Sequence, residues 1–216
     1  MIDDIIQNFY EKYDNREEKY NQDHSPRLDF TVKRFNLLEL ENKHLADFGG
    51  GYGFLFQRLK ENNNKTIFDG AEIDTNRLLS PATVVKQDLN QVIDNKPADR
   101  FDTSFCFEVL EHLENPYRCL VEIKELTKTN GEIYLSVPDV SVWHNTPYPT
   151  LIFPHNNFEI FLSQMALPIL DYAKFTDGWH THIWKCRNAD WREARMIFPK
   201  QEVKFFGKQP VQYTNL

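Results

Sequence analysis

The sequence lacks the features that mark a secreted, membrane-spanning or metal-binding chain. Its three cysteines are odd in number and lack metal-site spacing, so reduced thiols in a cytoplasm are the simplest interpretation. No apolar run is long enough to cross a bilayer, and the start Met-Ile-Asp-Asp does not resemble a signal peptide. There is also no internal repeat and no low-complexity segment. We therefore expect a cytoplasmic domain with no membrane partner.

Positive charge is in short supply as well. The 216 residues contain 25 Lys and Arg against 32 Asp and Glu, a formal net charge of −7. A general nucleic-acid binder needs a basic face for its phosphate contacts, so nucleic acid is an unlikely partner, although a local basic patch remains compatible with this balance. Hydrophobic residues make up 41% of the chain, with 17 Phe and 9 Tyr. This is enough for the core of one α/β domain.

Glycine is scarce too, with eight residues, and four of them fall between positions 49 and 53. They lie in the run Leu-Ala-Asp-Phe-Gly-Gly-Gly-Tyr-Gly-Phe-Leu at 45–55, between an apolar strand and an amphipathic stretch. Glycine tolerates positive φ and lets a backbone approach a ligand closely. N–H groups at the start of a following helix would then face polar groups of that ligand. The strand–turn–helix context predicts a nucleotide-type cofactor site, the alternative being a turn with no ligand.

The glycine spacing helps to choose the cofactor class. The dinucleotide fingerprint is G-x-G-x-x-G, whereas here the glycines stand at 49, 51 and 53 and are followed by the bulky Phe54. Asp47, two residues before the first glycine, would repel a pyrophosphate but could hold an ammonium group. The pattern therefore disfavours an NAD-dependent oxidoreductase and favours a cofactor with a cationic end.

Strand and helix signals alternate from residue 44 onward, which predicts a mainly parallel sheet with helices on both faces. We predict strands at His44–Phe48, Thr66–Ile73, Thr83–Lys86, Phe101–Phe107 and Glu132–Val137. We predict helices at Phe54–Lys60 and from Pro116 to about Thr127, the second capped by Asn115.

The two ends of the chain are less regular. Residues 1–43 contain helical apolar spacing near Ile2–Tyr10 and again at Leu28–Leu40, which predicts two helices that either pack on the sheet or close over the cofactor as a lid. Residues 139–157 hold three prolines and are expected to form a long loop. A helix at Phe158–Leu170 and a closing hairpin of strands Lys174–Trp179 and Thr181–Arg187 should follow.

Acidic residues just past the predicted strands are the natural cofactor ligands, because open sheets of this kind bind at the carboxyl ends of their strands. Glu72 follows the second strand and could accept hydrogen bonds from both ribose hydroxyls, with Asp74 as its neighbour. Asp88 follows the third strand and could meet the exocyclic amine of an adenine. An ordinary strand-end turn is the other interpretation of Asp88.

Three motifs in order carry a family resemblance over roughly residues 44–140. Asp-Phe-Gly-x-Gly-x-Gly at 47–53 resembles motif I of the class I S-adenosylmethionine (SAM) methyltransferases. The stretch from Arg100 to Pro116, with Glu-Val-Leu-Glu-His-Leu at 108–113, resembles the ubiquinone-biosynthesis O-methyltransferase type. The stretch 126–138 resembles that family's turn and fifth strand, with Thr129-Asn130 in place of the usual Pro-Gly.

The resemblance implies a Rossmann-like fold, with a mainly parallel seven-stranded sheet, helices on both faces and an antiparallel closing strand. It implies SAM as cofactor, residues 44–216 as the SAM-binding domain, and specificity in the lid (1–43) and in the C-terminal part from about 139. The residues carried over as cofactor-binding are Asp47, Phe48, Gly49, Gly51, Gly53, Glu72, Ile73, Asp88, Leu89, Phe107 and Glu108. Phe107 and Glu108 would border the reacting sulfonium.

Methyl transfer needs alignment above all, and a base only if the acceptor carries a proton. His112 is the candidate base, since a histidine near neutral pKa suits a hydroxyl acceptor. Glu111 and His112 could instead cap and orient the loop. A further alternative is a divalent metal held by Glu108, Glu111, His112 and either His180 or His182, as small-RNA 2′-O-methyltransferases use, although we expect no metal. Residues His180 and His182 could equally be surface or substrate contacts.

The leading hypothesis is a SAM-dependent methyltransferase acting on a small-molecule or glycan acceptor, at oxygen. The alternatives are an RNA 2′-O-methyltransferase with a divalent metal and a non-catalytic SAM-binding protein. Several aromatic residues could line an acceptor pocket or belong to the core: Trp143, Phe153, Trp179 and Trp184. The sequence predicts neither the acceptor nor the oligomeric state.

Overall fold

The computed structural model describes residues 17–70, 73–94, 96–139, 151–177 and 180–192, with the side chains of 17–24 left out. One mixed sheet organises the chain. Its strands are β1 (His44–Phe48), β2 (Asn64–Asp69), β3 (Thr83–Lys86), β4 (Phe101–Phe107), β5 (Thr127–Pro138), β6 (Ile169–Phe175) and β7 (Thr181–Arg187). The helices are α1 (Glu17–Arg34), α2 (Pro116–Leu126) and α3 (His155–Gln164).

The strand order is β3-β2-β1-β4-β5-β7-β6. Strands β1 to β5 pair in parallel, and β7 runs antiparallel to both β5 and β6. The seven-stranded, mainly parallel sheet with an antiparallel closing strand is therefore confirmed. The order reverses between β1 and β4, which places the carboxyl ends of these two strands at the point where such sheets bind ligands.

Each face of the sheet carries its own core. On one face α2 and α3 pack through Leu120, Ile123, Phe158 and Leu162 against β4, β5 and β7. On the other face α1 packs through Leu28 and Val32 in a cluster that includes residues from all seven strands. The first face therefore carries the helices between strands, while the N-terminal helix covers the second face.

Several element bounds were predicted closely. Strands β3, β4 and β7 lie where the apolar runs placed them, and α2 ends one residue before the predicted end. The Asn115 side chain accepts a hydrogen bond from Arg118 N at 3.0 Å, which confirms it as the N-cap. The hairpin of β6 and β7 is also confirmed, with β6 at Ile169–Phe175 rather than Lys174–Trp179.

The predicted helix at Phe54–Lys60 is wrong, because only a short 3₁₀ turn forms there, at Phe56–Arg58. The buried Lys65 explains the early end. Its Nζ donates to the carbonyl oxygens of Phe56 at 3.0 Å and Leu59 at 3.4 Å, which a longer helix would need for its own backbone. The glycine turn therefore leads into a compact corner and not into a regular helix.

Other bounds also differ. Strand β2 ends at Asp69 and not at Ile73, because β1, its partner, ends at Phe48 opposite Phe68. Strand β5 begins directly after α2, at Thr127. Helix α3 starts three residues before the prediction and ends at Gln164, beyond which Ala166 adopts a positive φ of 53°.

The N-terminal prediction is corrected as well. A single helix runs from Glu17 to Arg34 and is followed by a 3₁₀ turn at Leu37–Glu39, where the sequence predicted a helix at Leu28–Leu40. The helix predicted near residues 2–10 lies outside the described residues. None of the helices in the described ranges is long and apolar enough to cross a bilayer.

Candidate functional site

The glycine turn lies at the carboxyl end of β1. Gly49, Gly51 and Gly53 all adopt positive φ, at 81°, 51° and 81°. A Cβ at Gly49 would lie 2.3 Å from Val109 Cγ2, so the loop after β4 presses directly on the turn. A Cβ at Gly51 would meet no described atom within 4 Å. The turn is thus packed at its base and open at Gly51, the shape of a cradle that a side chain would fill.

Two carboxylates flank this cradle. Asp47 is buried directly beneath the turn, where a Cβ on Gly50 would lie 2.6 Å from its Oδ2. Burial, helped by the negative charge of Asp69, raises the pKa of Asp47 to about 7. Asp69 Oδ2 accepts a hydrogen bond from Gly51 N at 3.1 Å. Two acidic groups beside one open backbone favour a cationic ligand and oppose a phosphate.

Sequence reasoning missed Asp69. It expected β2 to continue to Ile73 and chose Glu72, which lies outside the described residues. The available signal was simple, because Asp69 is the first carboxylate after the apolar Ile67 and Phe68 and precedes Gly70. Asp74 caps the following 3₁₀ turn, since its Oδ1 accepts from Asn76 N at 3.0 Å.

Glu108 is the best-connected acidic residue at the end of β4. Its backbone adopts a positive φ of 56°, an uncommon conformation for a non-glycine residue. The side chain holds it in place, because Oε1 accepts from Ser136 Oγ at 2.8 Å and from Thr181 Oγ1 at 2.5 Å. Glu108 therefore ties β4 to β5 and β7 at the same edge of the sheet.

A buried cation from α1 completes this group. Arg27 Nη1 lies 3.1 Å from Glu108 Oε2, and each side chain is only 7% exposed. Arg27 Nε is buried and has no hydrogen-bond partner within the part of the chain that the structure describes. Such a donor is costly to bury and suits an acidic ligand group. Sequence reasoning missed Arg27, because nothing in the charged N-terminal segment connects it with Glu108.

Glu111 and His112 lie in the 3₁₀ turn Leu110–His112 that follows β4. Glu111 is fully buried, and burial beside the negative Glu108 raises its pKa well above the usual value. His112 Nε2 lies 3.7 Å from Glu111 Oε1, beyond hydrogen-bond length, and its side chain is partly exposed. The turn also binds the later chain, because Leu151 N donates to Glu111 O at 2.7 Å.

The other predicted cofactor residues occupy different environments. Phe48 is fully buried and stacks on Phe68 at 4.8 Å, so only its backbone could meet a ligand. Asp88 Oδ1 accepts from Asn90 N at 2.9 Å, the strand-end turn that was its alternative interpretation. Leu89 is buried, and Ile73 and Phe107 are partly buried against the core. Their contacts with a cofactor stay predictions.

A second polar cluster lies at the carboxyl end of β5. His182 Nδ1 is 2.6 Å from Tyr172 Oη, and its Nε2 is 3.0 Å from Asp139 Oδ2. His182 is buried, so it is not a surface histidine. Within the described ranges no group of three or more His, Cys, Asp and Glu lies close enough to hold a metal ion.

The aromatic residues considered for an acceptor pocket separate into two groups. Trp184 is fully buried in the core, and its Nε1 donates to Glu159 Oε1 at 3.2 Å. Phe153 packs at the edge of the same core, 5.2 Å from Phe158 between ring centroids. Trp143 and Trp179 lie outside the described residues.

Comparison with known proteins gives a consistent picture. The methyltransferase domain family matches residues 16–206 of the chain. The ubiquinone biosynthesis O-methyltransferase of Coxiella burnetii is 30% identical over 146 residues, 64% of this chain and 59% of that protein. The tRNA U34 carboxymethyltransferase of Nautilia profundicola is 30% identical over 186 residues, 83% of this chain and 53% of that protein. The chain thus spans less than two thirds of these curated relatives.

Among solved structures, the fold is similar to that of a magnesium protoporphyrin IX methyltransferase from Synechocystis PCC 6803, crystallised with bound SAM. The TM-score is 0.57 at 17% sequence identity, with 78% of this chain and 79% of that chain covered. At this identity the likeness concerns the fold alone.

Proposed function

The chain belongs to the class I SAM-dependent methyltransferases, and from this premise we propose that it transfers the methyl group of SAM to a hydroxyl oxygen of a small-molecule or sugar-like acceptor. SAM supplies an electrophilic methyl group on a sulfonium. The protein's part is to bind SAM, to align the acceptor with that methyl group and to exclude water.

The buried Arg27, which pairs with Glu108 at the end of β4, is the observation that carries the proposal. Its Nε is a buried donor that suits a carboxylate, while Asp47 and Asp69 suit the ammonium group and the cationic centre. A methionine-like end carries both charges, so one ligand satisfies both sets of groups. A dinucleotide would bring its pyrophosphate against the two carboxylates.

The proposal assigns roles to the remaining carboxylates. Glu72 would bind the ribose hydroxyls, with Gly51 close to the ribose. Asp88 and Leu89 would flank the adenine, and Ile73 would pack on its face. Glu108 would border the methyl group, where its bonds to Ser136 and Thr181 keep the carboxylate in place.

Proton transfer from a hydroxyl acceptor needs a base, for which we propose His112 at the end of β4. Its side chain is partly exposed beside the buried Glu111. The raised pKa of Glu111 favours the neutral form of that carboxyl, so less negative charge faces His112. A neutral imidazole is the form that can accept a proton.

The segments around this centre would supply specificity. Residues 1–43 would act as a lid, which is supported by the contact between Arg27 on α1 and Glu108. The part from about residue 139 would bind the acceptor. The three buried, unbridged cysteines support a reducing, cytoplasmic location for the reaction.

An RNA acceptor is the second candidate, and the similarity to a tRNA-modifying enzyme over 83% of this chain favours it. The net charge of −7 counts against it, because RNA binding draws most of its affinity from phosphate contacts. A non-catalytic SAM-binding protein would keep the cradle but would need no acceptor site.

Calorimetric titration and label transfer together test the proposal. The protein should bind SAM and its demethylated product at micromolar concentration, and NAD not at all. Tritiated methyl groups should then move from SAM to catechol or to methyl α-D-glucopyranoside, and not to bulk tRNA. Transfer to tRNA alone would establish the second candidate. Absence of SAM binding would refute the proposal.

A further inference from the structure

Tyr52 is the only residue of the run 49–53 that is not glycine, so it supplies the one side chain of the turn. Gly53 N donates to Gly50 O at 3.0 Å, which makes Gly51 and Tyr52 the two central residues of this turn. The Tyr52 ring is half-buried, and the guanidinium carbon of Arg77 lies 4.9 Å from its centroid. This distance is typical of a cation–π contact, which connects the turn with the segment that follows β2.

A backbone hydrogen bond joins the same two segments. Leu79 N donates to Tyr52 O at 3.1 Å, so the ring and the carbonyl of Tyr52 both hold the chain at residues 77–79. We call these two contacts of Tyr52 the clamp. Earlier in the chain, Asp69 Oδ2 accepts from Gly51 N at 3.1 Å. The chain after β2 is therefore attached to the glycine turn at two places, at Asp69 and at the clamp.

The described residues that precede the clamp form a capped turn. Asp74 Oδ1 accepts from Asn76 N and from Asn76 Nδ2, both at 3.0 Å, and Asp74 O accepts from Arg77 N at the same distance. Ile73, directly before Asp74, packs against the core cluster that α1 covers. A hydrogen-bonded turn of this length moves as one unit, so a displacement of Arg77 also displaces Ile73.

We propose that Tyr52 and Arg77 are positioning residues for SAM, because the clamp sets the distance between the glycine turn and the segment that contacts the adenine. The inference rests on the proposed function, in which Gly51 lies close to the ribose and Ile73 packs on the adenine. With the clamp closed, one bound adenosine contacts both segments. With the clamp open, the segment around Ile73 occupies other positions, and the affinity falls with the fraction of molecules in the binding-competent arrangement.

The experiment titrates R77M, R77K, Y52L, Y52F and the wild-type protein calorimetrically with two ligands. One is S-adenosylhomocysteine, the demethylated product of SAM, and the other is 5′-methylthioadenosine, which lacks the ammonium and carboxylate groups. We expect R77M to weaken both ligands by the same factor, about fivefold, the size typical of a cation–π contact. R77K keeps a cation over the ring and Y52F keeps the ring, so both should stay within about twofold of the wild type.

A double-mutant cycle shows whether Arg77 acts through Tyr52. Y52L should weaken both ligands as R77M does, and Y52L/R77M should be no weaker than Y52L alone. Hydrogen exchange of the Leu79 amide, measured by NMR, reports on the clamp itself. In the wild-type protein this exchange should slow when S-adenosylhomocysteine binds, and in free R77M it should be about fivefold faster than in the free wild type.

K185M is the matched control. Lys185 Nζ lies 5.5 Å from the centroid of the Tyr134 ring, a contact of the same kind that joins β7 to β5. Lys185 also pairs with Glu132 at 2.6 Å, so its loss should lower the melting temperature. The affinity of K185M for both ligands should nevertheless stay within about twofold of the wild type. A merely structural role of the clamp would give R77M the same result.

The other outcomes separate the clamp from the proposed function. If R77M and Y52L bind both ligands as the wild type does, the clamp is overturned and the proposed function stands. If R77M weakens S-adenosylhomocysteine alone, Arg77 acts on the methionine end, and its role at the adenosine half is wrong. If R77M weakens Y52L by a further fivefold, Arg77 does not act through Tyr52. If the wild-type protein binds neither ligand, the proposed function fails together with the clamp.

Discussion

Arg27 and Glu108 form a buried ion pair, with Arg27 Nη1 at 3.1 Å from Glu108 Oε2, between the N-terminal helix and the end of β4. This contact joins a segment outside the motif region to the residue that borders the proposed methyl site. Both side chains are 7% exposed, so neither charge is shielded by water. The pair therefore couples the position of α1 to the state of the site.

Replacing Arg27 by methionine should lower both stability and SAM affinity. Loss of one partner leaves the Glu108 carboxylate buried without its cation, which typically costs about 3–5 kcal/mol. We expect SAM affinity to fall at least tenfold, because the buried Nε donor is lost as well. Urea unfolding and calorimetric titration measure the two effects.

R34M is the matched control on the same helix. Arg34 forms a two-point bond with Asp171, at 2.7 and 2.8 Å, but both side chains are 39% exposed. Exposed pairs contribute about 0–1 kcal/mol, so R34M should retain SAM affinity and most of its stability. Equal losses of SAM affinity in the two variants would contradict a specific role for Arg27.

Gly51→Ala should separate ligand binding from folding. A Cβ at this position meets no described atom within 4 Å, so the strain comes only from the positive φ of 51° and should cost about 1–2 kcal/mol. The same Cβ would occupy the cradle, and SAM affinity should fall at least tenfold. Calorimetric titration at a temperature well below the melting point measures the loss.

Two other glycines serve as references for Gly51. Gly49→Ala should destabilise the fold itself, because its Cβ would lie 2.3 Å from Val109 Cγ2. Gly70→Ala should change little, since its nearest contact would be 3.5 Å and its φ is not positive. If G51A binds SAM as tightly as the wild-type protein, the cradle is not part of the SAM-binding site.

The parts of this fold that could be predicted from sequence are those whose signal is local. The apolar run Phe101–Phe107 and the Asn115–Pro116 start of α2 specify their elements within a few residues, and the structure has both. The glycine turn could be located for the same reason. Positive φ at Gly49, Gly51 and Gly53 is a local requirement, and glycine is the residue that meets it most easily.

The parts that could not be predicted depend on contacts between distant segments. Lys65 shortens the turn after Phe56 by taking its carbonyl, and Arg27 reaches Glu108 from another element. Tyr172 on β6, His182 on β7 and Asp139 after β5 are likewise brought together only by the fold. The spacing of residues along the sequence does not reveal contacts between distant segments. His182 could therefore be considered only as a surface, substrate-contact or metal residue.

Chelation should leave methyl transfer unchanged. Glu108 is committed to Arg27, Ser136 and Thr181, and the ring nitrogens of His182 are bonded to Tyr172 and Asp139. These residues cannot then form the Glu-x-x-Glu-His metal set without rearrangement. Transfer of labelled methyl groups before and after EDTA measures this. An activity that is lost on chelation and restored by Mg²⁺ or Mn²⁺ would instead support the RNA 2′-O-methyltransferase.

Asp47 should make the stability of the free protein fall as the pH rises. Burial raises its pKa in the folded state to about 7, against about 3.9 in the unfolded chain, so the folded state binds more protons between these values. This contribution is fully present below about pH 4 and is lost as the pH rises through about 7. Integrated over roughly three pH units, it reaches about 4 kcal/mol.

The comparison with D47N isolates this effect, since other shifted carboxyls remain in both proteins. Asp102 and Asp171, whose pKa values are lowered, make stability rise with pH, but they do so equally in the wild type and in D47N. Urea unfolding at pH 4.5, 5.5, 6.5 and 7.5 should show D47N gaining stability relative to the wild type as the pH rises. Bound SAM should weaken this trend in the wild type, because an ammonium group near Asp47 favours the ionised carboxylate. If the free energy of unfolding depends on pH in the same way in the wild type and in D47N, the pKa of Asp47 is not raised in the folded state. The interpretation of Asp47 as a buried, protonated group that binds a cation would then be wrong.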